Sequence, residues 1–191
     1  HTFDKCFFMP SDLTAGLEYN RDRLKDNMWG YDRHTDQTVN IYSAFLQNEW
    51  KNDRWGILIG GRLDKHNMVD NVIFSPRANL RFNPTQNINL RLSYSSGFRA
   101  PQAFDEDMHI ENVGGTVAMI ERAKNLKEEK SQSFSASADM YHRFGVFQTN
   151  FLIEGFYTRL TDVFVLGEPY DRGDGILVKT RSNGPGAKVM G

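Results

Sequence analysis

Residues 87–96 read Asn87-Ile88-Asn89-Leu90-Arg91-Leu92-Ser93-Tyr94-Ser95-Ser96. Through Tyr94 the even positions are apolar, and the odd ones are polar. Successive side chains of an extended chain point to opposite faces, so the stretch predicts a strand with one greasy flank and one wet flank. The same alternation continues outward. Upstream, in residues 72–83, Val72, Phe74, Pro76, Ala78, Leu80 and Phe82 alternate with Ser75, Arg77, Asn79, Arg81 and Asn83. Downstream, in 130–142, Phe134, Ala136, Ala138 and Met140 alternate with Ser131, Ser133, Ser135, Ser137 and Asp139. In 146–160, Phe147, Phe151, Ile153 and Tyr157 oppose Gln148, Asn150, Glu154 and Thr158, with Leu152 as the exception. In 54–64, Trp55, Ile57, Ile59 and Leu63 form the apolar set, and Gly56, Gly60 and Gly61 leave room for close backbone approach. Weaker strands are expected at 13–20, 38–50 and 176–181; the pattern leaves the facing of 38–50 open.

Tight connections at 51–53, 84–86 and around 143–145 carry the Pro, Gly, Asn and Asp residues of hairpin turns. Longer ones span 21–37, 65–71, 98–129 and 161–174. With antiparallel neighbours, every short turn falls at one end of the sheet and every long loop at the other. That asymmetry matches outer-membrane barrels. Segments of about 10 residues also suit a bilayer crossing, which takes roughly 9–11 tilted residues. Aromatics gather near strand ends: Trp50 and Trp55, Phe144 and Phe147, and at the other end Tyr94 and Phe98. Residues 116–124 fit a short helix, with Val117, Ile120 and Ala123 on one side. The expected architecture is all-β: an antiparallel up-and-down meander of about eight strands, part of a transmembrane β-barrel.

Composition narrows the function. The 191 residues carry 23 Lys and Arg against 24 Asp and Glu, a balance that gives nucleic acid no electrostatic footing. No apolar run approaches the roughly 18 residues of a spanning helix, a test that β-strands escape. The single Cys6 forms no internal disulfide. There is no H-E-x-x-H, nucleophile elbow, Walker loop or G-x-G-x-x-G, so no enzyme is expected, and no cofactor or metal is implied.

Gly97-Phe98-Arg99-Ala100-Pro101, following the strand at 90–96, resembles the segment with which TonB-dependent outer-membrane receptors leave the membrane for an external loop. Asn125-Leu126-Lys127-Glu128-Glu129-Lys130-Ser131 is similar to the segment that opens their next strand, with Glu128 where the family usually has proline. Gln47, Glu49 and Trp50, and Phe156, Tyr157, Arg159 and Asp162, lie in stretches similar to other strands of these receptors. Residues 103–110 look like receptors of the Bacteroides group. The resemblance implies a Gram-negative outer-membrane location and TonB-dependent uptake of a bulky nutrient: a ferric siderophore, haem, a corrinoid or a glycan. It also implies partners, namely outer-membrane lipid and a TonB complex acting through a plug domain. No plug, TonB-contacting segment or terminal aromatic strand is recognisable, so residues 1–191 read as an internal piece of the barrel domain, and outside lipid the piece is expected to self-associate.

Long external loops are where such receptors gather ligand-binding groups. The candidates are Arg99 for an anionic group, Phe104 for stacking, and Asp105, Glu106, Asp107, His109 and Glu111 for a cation. Consecutive acids on a loop are more often solvated surface, and their spacing defines no metal site. His34, His66 and His142 read as polar surface or lumen residues. Arg77, Arg81 and Arg91 are expected to face the lumen, either along the path of an anionic substrate or paired with acids of a plug. The competing reading is a soluble all-β module, perhaps carbohydrate-binding, with Trp50, Trp55 and Tyr157 as a platform. The two differ in what the apolar flanks touch.

Overall fold

Backbone hydrogen bonds join nine strands into one antiparallel sheet in the order β1-β2-β3-β4-β5-β6-β9-β10-β14. These are β1 (Thr2–Cys6), β2 (Met9–Met28), β3 (Arg33–Lys51), β4 (Trp55–His66), β5 (Ile73–Thr85), β6 (Ile88–Arg99), β9 (Glu129–Phe144), β10 (Phe147–Thr161) and β14 (Ala187–Met190). A second, five-stranded sheet is made from the long connections: β7 (Glu111–Val113), β8 (Thr116–Arg122), β11 (Phe164–Leu166), β12 (Tyr170–Asp171) and β13 (Leu177–Asn183). This computed structural model describes residues 1–103, 108, 111–113 and 116–191.

The period-two reading fixes the faces of the large sheet. Cross-strand rows run Ile59–Ala78–Tyr94–Phe134–Tyr157, Ile57–Leu80–Leu92–Ala136–Gly155 and Trp55–Phe82–Leu90–Ala138–Ile153 on one side. On the other side run Gly60–Arg77–Ser95–Ser133–Thr158 and Gly56–Arg81–Arg91–Ser137–Glu154. The apolar flank is not sealed by a second layer: Leu17 is 87% exposed, Phe74 60% and Leu92 55%. So much contiguous exposed hydrocarbon belongs against lipid rather than water, which removes the basis for a soluble module.

Turn chemistry sets one end. Asn52 Oδ1 accepts from the backbone N–H groups of Arg54 and Trp55 at 2.9 and 2.7 Å, closing the β3–β4 hairpin. Gly145 supplies the positive φ, 59°, that the β9–β10 turn requires. Aromatic rings cluster at this end, with Phe8 stacked on Trp50 and Trp55 on Phe82 at centroid distances of 5.9 and 4.2 Å. The connections at the other end are longer, as the sequence implies. The buried hydrophobic side chains also lie there: Val39, Val69, Ile73, Ala100, Ala103, Ala118, Met119 and Val178. The core thus sits where the second sheet meets the rim of the first.

The structure corrects the expected architecture. Among the described residues no sheet closes into a barrel. The edge strand β1 pairs with Ser11–Asp12 at the short-turn end, whereas β14 pairs with Tyr157–Leu160 at the opposite end, so the two edges share no register. The strands outnumber the expected eight, and they do not form a single meander. Residues 116–124 are largely strand, not helix: β8 pairs in parallel with β13, Leu177 opposite Ala118. Residues 21–37 are not loop either. β2 and β3 continue as a two-stranded ribbon through Met28↔Arg33, well beyond the last pairing of β3 with β4 at Ile41↔His66.

Candidate functional site

The long-connection end offers a mouth and the polar flank offers a lining. The ribbon carries Trp29 at its tip but is otherwise mostly polar, and cross-strand pairs hold its register: Arg23 with Asp36 at 3.0 Å, Arg33 with Asp26 at 3.0 Å, and His34 Nδ1 with Asn27 Oδ1 at 3.0 Å. The ribbon is tied to the second sheet through Gln37. Its buried Oε1 accepts from the Ala103 N–H at 2.8 Å and from Arg122 Nη1 at 2.7 Å, and Arg122 also donates to the Pro101 carbonyl at 3.1 Å. His66 is fully buried beside this knot; its Nδ1 accepts from the Met68 N–H at 3.1 Å and its Nε2 lies 3.3 Å from Gln102 Oε1.

Between the ribbon tip and β8 lies a cavity of about 650 Å³, bordered by Arg33, Arg122, Lys124 and Arg172 and by the acids Asp32 and Glu121. Arg172 is hydrogen-bonded to Asp174, and this contact holds the Asp174 carboxyl below the usual carboxylate range. The cavity border thus carries both signs of charge: Arg33, Arg122 and Arg172 are engaged with Asp26, Gln37 and Asp174, and Lys124 adds an ammonium that an anionic group could meet. No sequence motif marks this cluster, because its members come from the ribbon and from separate connections that meet only on folding.

The polar flank carries Arg77, Arg81 and Arg91, as the alternation requires. Arg77 donates to Gln47 Oε1, and Arg81 Nη2 reaches the Asn52 carbonyl at 3.4 Å. Arg81 and Arg91 stand directly opposite one another, a like-charge pairing. Both border a cavity of about 520 Å³ shared with Glu49, Asp139 and Glu154. Hydroxyl pairs pave the neighbouring rows, Ser93 with Ser135 at 2.6 Å and Ser133 with Thr158 at 2.9 Å. Nearer the rim, Ser43 Oγ donates to the buried Asp64 at 2.6 Å, and Arg62 bridges Asp64 and Glu18 at 2.8 and 2.9 Å.

Arg99 stands apart from the mouth cluster. Its guanidinium lies 5.6 Å from the Phe164 ring centroid, so it fastens β6 to β11. Phe98 packs on Val69, Ile73 and Ala100. The Gly97–Pro101 stretch therefore secures the strand end. Phe104, Asp105, Glu106, Asp107 and His109 lie outside the described residues, as does most of the stretch 103–110. Among the described residues no group of three His, Cys, Asp or Glu side chains gathers as a metal site.

Comparison with known proteins gives this arrangement a family. The profile of TonB-dependent receptor-like β-barrels matches residues 2–191. The chain belongs to that family. Solved receptors of similar fold include the siderophore receptor PirA from Pseudomonas aeruginosa (17% identity, TM-score 0.81), covering 100% of this chain and 36% of that one. PirA from Acinetobacter baumannii has 18% identity and TM-score 0.70, covering 100% and 32%. The FrpB iron transporter from Neisseria meningitidis has 16% identity and TM-score 0.66, covering 100% and 31%. No curated protein matches the chain. The chain thus spans about a third of the length of these receptors. Membership of the TonB-dependent receptor family places it in the Gram-negative outer membrane. The finer likeness to Bacteroides receptors finds no support in these matches.

Proposed function

We propose that the chain is a section, residues 1–191, of a receptor that takes up a bulky nutrient across the outer membrane under TonB control, and that its cargo is a ferric siderophore. The observation that carries this is the two-sided sheet: one flank is exposed hydrocarbon bounded by aromatic rings, and the other is hydroxyl- and arginine-lined beneath a mouth bordered by charges of both signs. The apolar flank meets acyl chains and the polar flank borders the route of entry. Lys124 and Arg172 border the cavity where an anionic iron chelate would enter, and the solved structures named siderophore receptors support that choice of cargo. A ligand contact by Arg99, Phe104, Asp105, Asp107 or His109 belongs to the same reading. Arg77, Arg81 and Arg91 face the acids of a plug domain, through which a TonB complex delivers energy. Outside lipid the chain self-associates through its open edges and apolar flank.

The test is uptake of radiolabelled iron by cells carrying the whole receptor, offered one ferric siderophore at a time, with and without functional TonB. Saturable uptake that is lost with TonB or with the receptor supports the proposal, and a double Lys124→Gln, Arg172→Gln variant is expected to raise the half-saturation concentration severalfold. Loss of growth on haem, a corrinoid or a glycan, with siderophore iron uptake intact, would overturn the choice of cargo.

A further inference from the structure

The apolar flank is not uniformly greasy. Beyond the aromatic row Tyr94–Phe134–Tyr157, the next row of β6, β9, β10 and β14 toward the long-connection end is Ser96–Gln132–Arg159–Lys188. These side chains share the face of the lipid-directed rings, because each lies two residues along its strand from one of that row's members or from Met190, the partner of Tyr157. Lys130 follows one row further on, paired with Thr161 and ion-paired with Glu128 at 3.0 Å. Arg159 and Lys188 are exposed, stand directly opposite one another, and have no hydrogen-bond or ion-pair partner among the described residues. Two like charges facing each other across adjacent strands destabilise the pair unless an anion lies between them.

The surroundings supply a pocket. A cavity of about 560 Å³ opens beside Arg159, Lys130, Gln132 and Ser96. It meets, at Tyr94, an apolar trough running along the lipid-directed flank. The trough exists because small residues fall together: Ala136, Ala138 and Gly155 occupy neighbouring rows of β9 and β10, between the ridges of Phe134 and Tyr157 above and Ile153 below. Cations at headgroup depth, joined to a furrow at acyl-chain depth, have the chemistry of one kind of ligand.

We propose that Arg159 and Lys188, with Lys130 beside them, bind the phosphate of a membrane lipid whose acyl chain lies in the trough lined by Ala136, Ala138 and Gly155. The site faces away from the polar flank and takes no part in cargo passage. It rests on the outer-membrane reading of the apolar flank. Each cation near an anionic lipid contributes about a fivefold gain in affinity, so removing both charges costs about 25-fold.

The whole receptor, purified in a neutral detergent, is titrated with diphosphorylated lipid A, with its enzymatically dephosphorylated counterpart and with inorganic phosphate, and bound lipid is counted by native mass spectrometry. Retention of the phosphorylated lipid at least tenfold above the dephosphorylated one, with no displacement by millimolar phosphate, supports the site. An Arg159→Gln, Lys188→Gln variant that loses this preference while keeping siderophore uptake supports it further. Equal retention of the two lipids by the unaltered receptor, displacement by inorganic phosphate alone, or an unchanged preference in the variant would each overturn it. The lipid comparison needs no variant to fold, and a receptor that selects phosphorylated lipid but imports no siderophore would refute the cargo assignment alone.

Discussion

Gly60 shows how closely single residues are fitted on the polar flank. A Cβ at this position would lie 2.6 Å from Gln47 Cβ and 3.0 Å from the Leu46 carbonyl oxygen, atoms that no rotamer change moves aside. Gly60→Ala is expected to cost about 1–3 kcal/mol through forced separation of β3 and β4, read as a lowered urea midpoint for the receptor in vesicles. Asp64 is a different case. It is buried at the centre of the Ser43–Asp64–Arg62–Glu18 cluster, and Asp64→Ala leaves the Ser43 hydroxyl and one face of Arg62 without their acceptor. The expected loss is about 2 kcal/mol, below the value for a wholly buried pair because the Arg62 side chain is 37% exposed. Glu128 departs from the family's usual proline without disrupting the strand exit. Burial opposes its ionisation, but its own backbone N–H and Lys130 outweigh that and hold the carboxyl below the usual range.

At the scale of elements, the ribbon formed by the far halves of β2 and β3 is joined by polar pairs rather than by a core. Arg23 hydrogen-bonds Asp36 and keeps its carboxyl below the ordinary range. The lowered value means that the pair contributes above the ordinary carboxylate pKa and stops contributing as pH falls through the folded value. Amide exchange in residues 21–28 and 33–40 should therefore quicken, relative to its intrinsic rate, only once pH drops below about 4, whereas Asp36→Asn should abolish that step. Gln37→Ala is expected to untie the ribbon from the second sheet at a cost of about 1–3 kcal/mol, since the Ala103 N–H and the Arg122 guanidinium lose a buried acceptor, and to speed proteolysis in the connection between β6 and β9. These contrasts explain what the sequence discloses. Strands β5, β6, β9 and β10 are legible because one flank faces lipid, which enforces strict alternation. Residues 21–37 show no such period, since the ribbon face turned toward the second sheet is itself largely polar, with Asp26, Arg33, Thr35 and Gln37, so they read as loop. In β8 the adjacent Ala118 and Met119 are both buried, which erases the alternation and leaves a spacing that mimics a helix. The Arg77, Arg81 and Arg91 face was legible for the same reason as the strands, while the mouth cations were not, since tertiary contact alone unites them.

For the whole molecule, the balance of surfaces decides behaviour. In water the side chains of Leu17, Phe74 and Leu92 would lie against solvent. In detergent-free buffer residues 1–191 are expected to sediment as large assemblies and to bind a hydrophobic dye strongly. A monodisperse monomer in sedimentation velocity would contradict the lipid-facing assignment. The parallel pairing of β8 with β13 carries a consequence of another kind. Its partners, Leu177 and Ala118, are separated in the chain by the whole β9–β10 hairpin, so the pairing closes a long loop and is intrinsically slow to form. Protection of the amides in 116–122 and 177–183 is therefore expected to lag that of β9 and β10 during refolding into vesicles, which pulse-labelled hydrogen exchange would read.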